Sequence, residues 1–311
     1  MSSLPLLTGW PHGIARATVG KMRTGVQGPV DVRRRYMVHA GASAISAADV
    51  VAVEEPLKVR VDGETIAVTM RTPGEDRDLA LGFLFAEGVI ATVDDVGVVS
   101  HCGRPGDRNV IEVRSAPGTM LAPERVLEGR RWTTTTSACG VCGRRDIDAL
   151  LARCGPVGVA GVVAADVVTD CVVRLRVLQR TFARTGGTHA AAAFTADGVL
   201  LASHEDVGRH NAVDKVVGAL LRRRLVGRAA GSPGPFVLAV SGRASFEIVQ
   251  KAAVARIPVV ASVSAASSLA VDVASATGIT LAAFVRGDRY NVYTHPERLA
   301  PAGAASLAQE A

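Results

Sequence analysis

The sequence predicts a mixed α/β protein: a smaller N-terminal α+β domain over residues 30–125 and a larger, three-layer C-terminal domain over residues 148–300. Three observations carry that prediction. Two alternating runs, Glu55–Val61 and Glu64–Arg71, flank Asp62-Gly63, a dipeptide suited to the positive φ angles of a tight hairpin turn. From about residue 168, helix-period segments take turns with short continuous apolar runs, the pattern of a sheet covered on both faces. The chain has 311 residues, 48% of them hydrophobic, enough for one large core or two ordinary ones.

Taken in order, residues 1–29 mix Pro, Gly, Thr and isolated basic residues without period, which reads as a flexible tail. Arg33–Val38 reads as a strand, followed by the hairpin. Thr72-Pro73-Gly74 breaks the second hairpin strand, and Glu75–Ile90 carries Leu79, Leu81, Phe83, Leu84 and Val89 at helical spacing, with acids in the first turn. Val96–Ser100 and Asn109–Arg114 read as strands. A linker and cysteine loop occupy residues 126–147, and Asp146–Ala152 reads as a short helix. Beyond it, Val168–Phe182, Val207–Arg224, Ser245–Arg256 and Ser267–Thr277 have helical periods. His189–Phe194, Val199–His204, Phe236–Val240, Pro258–Val263 and Ile279–Val285 read as strands, and residues 301–311 as a tail.

Composition narrows the function. Thirty-five basic against twenty-nine acidic residues give a net charge of +6, which favours an anionic partner. Aromatic residues are 4% of the chain, and the runs Arg33–Arg35 and Arg222–Arg224 are not interleaved with them, so stacking on nucleic acid is not expected. Five cysteines lack a disulfide framework. With no export-type leader and no apolar run of bilayer length, the expected compartment is the cytoplasm, away from any membrane.

Reactive atoms concentrate in Arg131-Trp-Thr-Thr-Thr-Thr-Ser-Ala-Cys139-Gly-Val-Cys142-Gly-Arg-Arg145. Glycines free the backbone there, and neighbouring arginines favour thiolate over thiol at Cys139 and Cys142. Sulfur chemistry, half of a zinc site, a redox pair and an inert pair all fit this spacing. No second Cys-x-x-Cys completes a zinc set, so no metal ligands are assigned. Four polar loops fall at predicted strand ends: Arg184–His189, His204–Lys215, Ser241–Glu247 and Phe284–Arg289. Together they predict one crevice holding Arg184, His189, Glu205, Asp206, Arg209, His210, Asp214, Lys215, Ser241, Arg243, Arg286, Asp288 and Arg289. Ser241-Gly242-Arg243 before a helix offers backbone N–H groups and a guanidinium to a phosphate, while Ser245 is equally well placed as a helix N-cap.

The strings Thr136-Ser-Ala-Cys-Gly-Val-Cys-Gly, Arg184-Thr-Gly-Gly-Thr-His-Ala-Ala, Glu205-Asp-Val-Gly-Arg-His-Asn-Ala-Val-Asp-Lys, Ser241-Gly-Arg-Ala-Ser-Phe-Glu-Ile-Val-Gln-Lys and Phe284-Val-Arg-Gly-Asp-Arg, in that order, resemble the FdhD family of sulfurtransferases required for formate dehydrogenase. The resemblance runs from about residue 30 to 300. It implies a persulfide received from a cysteine desulfurase on the Cys139/Cys142 loop. It implies delivery of that sulfur to a bis(molybdopterin guanine dinucleotide) molybdenum cofactor destined for formate dehydrogenase. It further implies a cytidine-deaminase-like fold in the larger domain and a homodimer. The same resemblance places the cofactor, or a guanine nucleotide such as GDP, against Phe284, Val285, Arg286, Gly287, Asp288, Arg289, Ser241, Gly242, Arg243, His189 and Arg209. His189 is not followed by the acid of a His-x-Glu motif, and the Cys-x-x-Cys precedes it, so zinc-water chemistry is not expected. The rival expectation is a zinc-stabilised guanine-nucleotide-binding module without sulfur chemistry.

Overall fold

The structure is a computed structural model, and it describes residues 28–37, 45–102, 108–123, 155–158, 161–227 and 234–301. Cys139, Cys142, the helix expected at 146–152, and nearly all of the two expected tails lie outside the described residues.

The predicted hairpin forms as β3 (Glu55–Val61) and β4 (Glu64–Arg71), with Asp62 at φ 47° and Gly63 at φ 90° in the turn. With β5 (Val96–His101) and β6 (Val110–Ser115) it makes a four-stranded sheet of order β4-β3-β6-β5, in which β3 and β6 run parallel. Helix α1 (Asp76–Ala86) covers it and stops earlier than its apolar period suggests, because Gly88 turns the chain at φ 76°. Upstream, β1 (Val30–Met37) pairs antiparallel with β2 (Ile45–Ala52) as a separate ribbon. The sequence reading missed β2: Ile-Ser-Ala-Ala-Asp-Val-Val-Ala has no alternation and becomes a strand through pairing.

Beyond a two-residue strand, β7 (Val163–Ala164), which pairs parallel with Leu299–Ala300, the larger sheet has six strands in the order β13 (Arg289–Thr294), β12 (Thr280–Arg286), β11 (Val259–Ser262), β10 (Val237–Val240), β8 (His189–Phe194) and β9 (Leu200–Asp206). β10 (Val237–Val240), β11 (Val259–Ser262) and β12 (Thr280–Arg286) are parallel. β8 (His189–Phe194) is antiparallel to β10, and β9 (Leu200–Asp206) is antiparallel to β8. β13 (Arg289–Thr294), unpredicted, folds back on β12 across Gly287-Asp288. The helix predicted over 168–182 is two helices, α2 (Ala165–Leu178) and α3 (Arg180–Thr185), broken where Gln179 leaves helical geometry at ψ 68°.

Alternation along the central strands sorts side chains into two cores. Ala191, Ala193, Leu238, Val240 and Val260 face α4 (Arg209–Arg222), α5 (Phe246–Val254) and α6 (Ser268–Thr277), joining Val213, Ile248 and Val273. Ala190, Ala192, Phe194, Val237, Ala239 and Val259 face the other way, onto Val168, Cys171 and Leu175 of α2. Helices on both faces of a sheet are the three layers predicted. The first core also takes in Leu57, Val59, Leu81 and Leu84 of the smaller sheet and α1. α1 and α4 meet through glycines: a Cβ on Gly82 would lie 1.9 Å from the carbonyl oxygen of Asp214, and one on Gly218 1.9 Å from that of Asp78.

Candidate anion-binding crevice

One edge of the six-stranded sheet gathers the predicted polar loops, for a topological reason. The parallel strands β10 and β11 end there, leading into Ser241-Gly242-Arg243 and Val263-Ser264, and β12 reaches the same edge near its end, at Phe284. Because β8 runs the other way, its first residue, His189, stands on the same edge opposite Asp206, the last residue of β9. α4 begins three residues later with Arg209. Ligand sites of open α/β sheets collect at such strand ends.

Hydrogen bonds tie these loops together. Ser241 donates its N–H to the carbonyl of Ala190 at 3.0 Å and accepts the N–H of Ala190 on Oγ at 2.9 Å. Buried Ser262 sets its Oγ 2.7 Å from the Gly242 carbonyl and 3.1 Å from that of Ser264. Phe284 then donates its N–H to the same Ser264 carbonyl at 3.0 Å. Ser262, the last residue of β11, and Ser264, two residues on, were absent from the predicted site, although hydroxyl residues closing an apolar run were the signal that could have found them.

Gly242 is the point of closest approach. A Cβ there would sit 3.4 Å from both His189 Nδ1 and Arg209 Cβ. Arg209 Nε is buried and has no hydrogen-bond acceptor among the described residues, an unusual state for a guanidinium nitrogen. Burial pushes the His189 imidazole below its ordinary pKa, and the charges of Arg209, His210 and Arg243 push it further; Asp206 opposes them. A neutral histidine amid guanidinium groups, one with an unused buried donor, is an environment that an anion would complete.

Phe284 enters this edge with φ 55°, a left-handed conformation that costs a bulky residue energy, at an irregularity in the β12–β13 pairing. Phe284 is 40% exposed while the adjoining Val285 is buried. Arg286, Gly287, Asp288 and Arg289 form the exposed tip of the β12–β13 hairpin.

Four predicted crevice residues are used elsewhere. Lys215 Nζ meets Asp206 Oδ2 at 2.8 Å, and Lys251 Nζ meets Asp214 Oδ1 at 2.6 Å, all four side chains buried. Asp206, Lys215 and Asp214 therefore brace the crevice from beneath rather than line it. Glu205 caps α3, accepting the N–H groups of Thr181 and Phe182 at 2.7 and 2.8 Å. Arg184 stands in the last turn of that helix. Ser245 occupies the N-cap position of α5, but its hydroxyl does not cap; it lies 3.2 Å from His210 Nε2. Among the described residues no group of three or more His, Cys, Asp or Glu side chains is placed to hold a metal ion. Among them, too, no helix is long and apolar enough to cross a membrane.

Comparison with known proteins identifies the family of the chain. The sequence model of the FdhD/NarQ family matches residues 52–300. The sulfur carrier protein FdhD of Anaeromyxobacter dehalogenans strain 2CP-1 is 61% identical over 259 residues, covering 82% of this chain and 90% of that one. The protein of the same name from Mycobacterium tuberculosis H37Rv is 48% identical over 282 residues, 88% of this chain and 99% of that one. In three dimensions the chain shares the fold of a Desulfotalea psychrophila protein described as a formate dehydrogenase accessory protein. The TM-score is 0.68 at 23% identity, over 88% of this chain and all of the other. With four-fifths of its length matched by the family and relatives at this level of identity, the chain belongs to the FdhD/NarQ family.

Proposed function

We propose that this protein is a sulfur carrier and sulfurtransferase for formate dehydrogenase. It takes sulfur as a persulfide from a cysteine desulfurase and hands it to a bis(molybdopterin guanine dinucleotide) molybdenum cofactor, its substrate. The names of the relatives support the sulfur role. The observation that carries substrate binding is the partnerless, buried Nε of Arg209 at the edge where Gly242, Arg243 and His189 converge. Two phosphate-rich nucleotide arms would supply the missing acceptor. Phe284, exposed in a strained conformation on the same edge, offers a face on which a purine could stack.

In this reading the Cys139 thiolate attacks the outer sulfur of the donor persulfide. An S–S bond forms on Cys139, and the donor cysteine leaves as a thiolate. Attack of the Cys142 thiolate on the Cys139 sulfur then releases sulfide to the substrate and leaves a Cys139–Cys142 disulfide, which an external dithiol reduces by thiol–disulfide exchange, itself becoming a disulfide, before the next cycle. Arg286, Asp288 and Arg289, on the exposed hairpin, contact the outer part of the substrate. The proposal includes two domains, 30–125 and 148–300, the second with a cytidine-deaminase-like fold that has no zinc-water chemistry, a homodimer, and a cytoplasmic setting.

The test is calorimetric titration with GDP. Arg209→Ala and Arg243→Ala should each weaken binding by about 1.5–3 kcal/mol, roughly tenfold to over a hundredfold. Unchanged affinity in both variants would remove the crevice from substrate binding.

A further inference from the structure

Ser245, His210 and Glu247 form a constellation that neither sulfur transfer nor nucleotide binding uses. His210 Nδ1 lies 2.7 Å from Glu247 Oε2, and His210 Nε2 lies 3.2 Å from Ser245 Oγ. The carboxylate holds the proton on Nδ1 and leaves Nε2 as an acceptor facing the hydroxyl, which is the order of roles in a serine–histidine–acid relay. Burial alone would raise the Glu247 pKa, but the hydrogen bond and charge of His210, with the charges of Lys251 and Arg209, hold it below its ordinary value. His210 and Glu247 keep 17% and 26% of their side-chain surface exposed, and Ser245 is likewise only partly buried.

An internal comparison shows that the arrangement is not the default for this fold. α5 and α6 follow successive parallel strands, their entry loops pair at Ala244 and Ala266, and each has a serine at the N-cap. Ser267 caps its helix, accepting the N–H of Ala270 at 3.3 Å. Ser245 makes no cap bond, and its hydroxyl is turned to the imidazole instead. A capping bond has been given up at one of two equivalent positions. Beside Ser245, the N–H groups of Phe246 and Glu247 in the first turn of α5 have no carbonyl four residues back within the helix, so they are available to a developing oxyanion.

We propose that Ser245, His210 and Glu247 are a second active site, a serine esterase centre acting on a carboxylic ester that carries a phosphate group, with Arg209 holding the phosphate. Ser245 Oγ attacks the acyl carbon as His210 Nε2 takes its proton. The tetrahedral adduct expels the alcohol, whose oxygen receives that proton from His210. Water, deprotonated by His210, attacks the acyl-serine; the carboxylic acid leaves, and Ser245 regains its proton. No oxidant or further reactant is needed.

The experiment treats the full-length protein with an alkyl fluorophosphonate and maps the adduct by mass spectrometry. The expected result is one adduct, on Ser245, absent from Ser245→Ala. Labelling should slow by about 10²–10⁴-fold in His210→Gln. Glu247→Gln, which keeps the shape of the site, should also slow it. A 4-nitrophenyl ester bearing a phosphate on its acyl chain should turn over at least about tenfold faster than 4-nitrophenyl acetate, and the preference should vanish in Arg209→Gln. No adduct on Ser245 in folded wild-type protein, or labelling unchanged in both His210→Gln and Glu247→Gln, overturns the proposal and leaves the three residues as a tie between α4 and α5. Equal turnover of the two esters overturns the phosphate-bearing class.

Discussion

Replacing Lys215 with methionine tests the brace beneath the crevice. Lys215 Nζ is 2.8 Å from Asp206 Oδ2, with 1% and 0% of the two side chains exposed. It also donates to the carbonyls of Thr72 at 2.9 Å and Glu205 at 3.3 Å. Asp206 further accepts the N–H groups of Thr72 at 3.1 Å and Gly208 at 2.8 Å, and Asn211 Nδ2 at 3.1 Å. Methionine fits the volume but leaves the carboxylate buried without a counter-charge, a change that costs about 3–5 kcal/mol. For a chain of this size that lowers Tm by roughly 5–8 °C. The double variant Asp206→Asn, Lys215→Met carries no stranded charge and should recover part of the loss. Because Thr72 follows β4 and Asp206 precedes α4, the single variant should also weaken GDP binding by loosening the start of α4 that carries Arg209. Thermal and denaturant unfolding of the three proteins measures the effect. A loss below about 1 kcal/mol in Lys215→Met, the value of an exposed pair, would refute the reasoning.

Gly218→Ala should destabilise the fold by about 3 kcal/mol or more, read by denaturant unfolding, because its methyl group would meet the Asp78 carbonyl carbon and oxygen on α1 rather than a flexible side chain. Retained stability would mean that α1 and α4 do not cross this closely. Burial is the first cause depressing the pKa of both His189 and His204, so each is favoured neutral in the fold. Stability from these groups is held above the unfolded value near 6.5 and is lost as pH falls through the folded values. Asp214, pushed up to about 6 by burial, has the opposite sign, contributing stability below about 4 that is lost as pH rises through 6. The histidine contribution is therefore read as the difference between wild type and His189→Gln or His204→Gln, each of which should flatten the fall in Tm between pH 7 and 5.

Much of the fold was legible because the hydrophobic period changes where the architecture changes. The Asp62-Gly63 turn, the apolar runs of β10, β11 and β12, and the amphipathic helices between them are local patterns, and they appear where expected. β2 and β13 were not legible, because Ile45–Ala52 lacks alternation and Arg289–Thr294 is polar; each becomes a strand by pairing with a neighbour. The convergence of His189, Arg209 and Ser241–Arg243 was legible because strand ends collect polar loops. Burial was not: Asp206, Asp214 and Lys215 look like crevice residues in the sequence, and only tertiary pairing shows that they face one another or Lys251. The turn of Ser245 toward His210 and Glu247 depends on the spacing of two helices, which no one-dimensional pattern encodes.

The central claim is that this chain carries sulfur on the Cys139/Cys142 loop. Incubating the full-length protein with a cysteine desulfurase and cysteine, then digesting it for mass spectrometry, tests that claim most directly. Buried Cys171, whose thiol burial pushes up to about 12, provides an internal control, since almost none of it is thiolate at neutral pH. The expected result is added sulfur on the peptide containing Cys139 and Cys142, lost in Cys139→Ala together with formate dehydrogenase activity in cells that lack the native protein. Sulfur spread without preference over Cys102 and Cys171, or full activity in Cys139→Ala, would contradict the account.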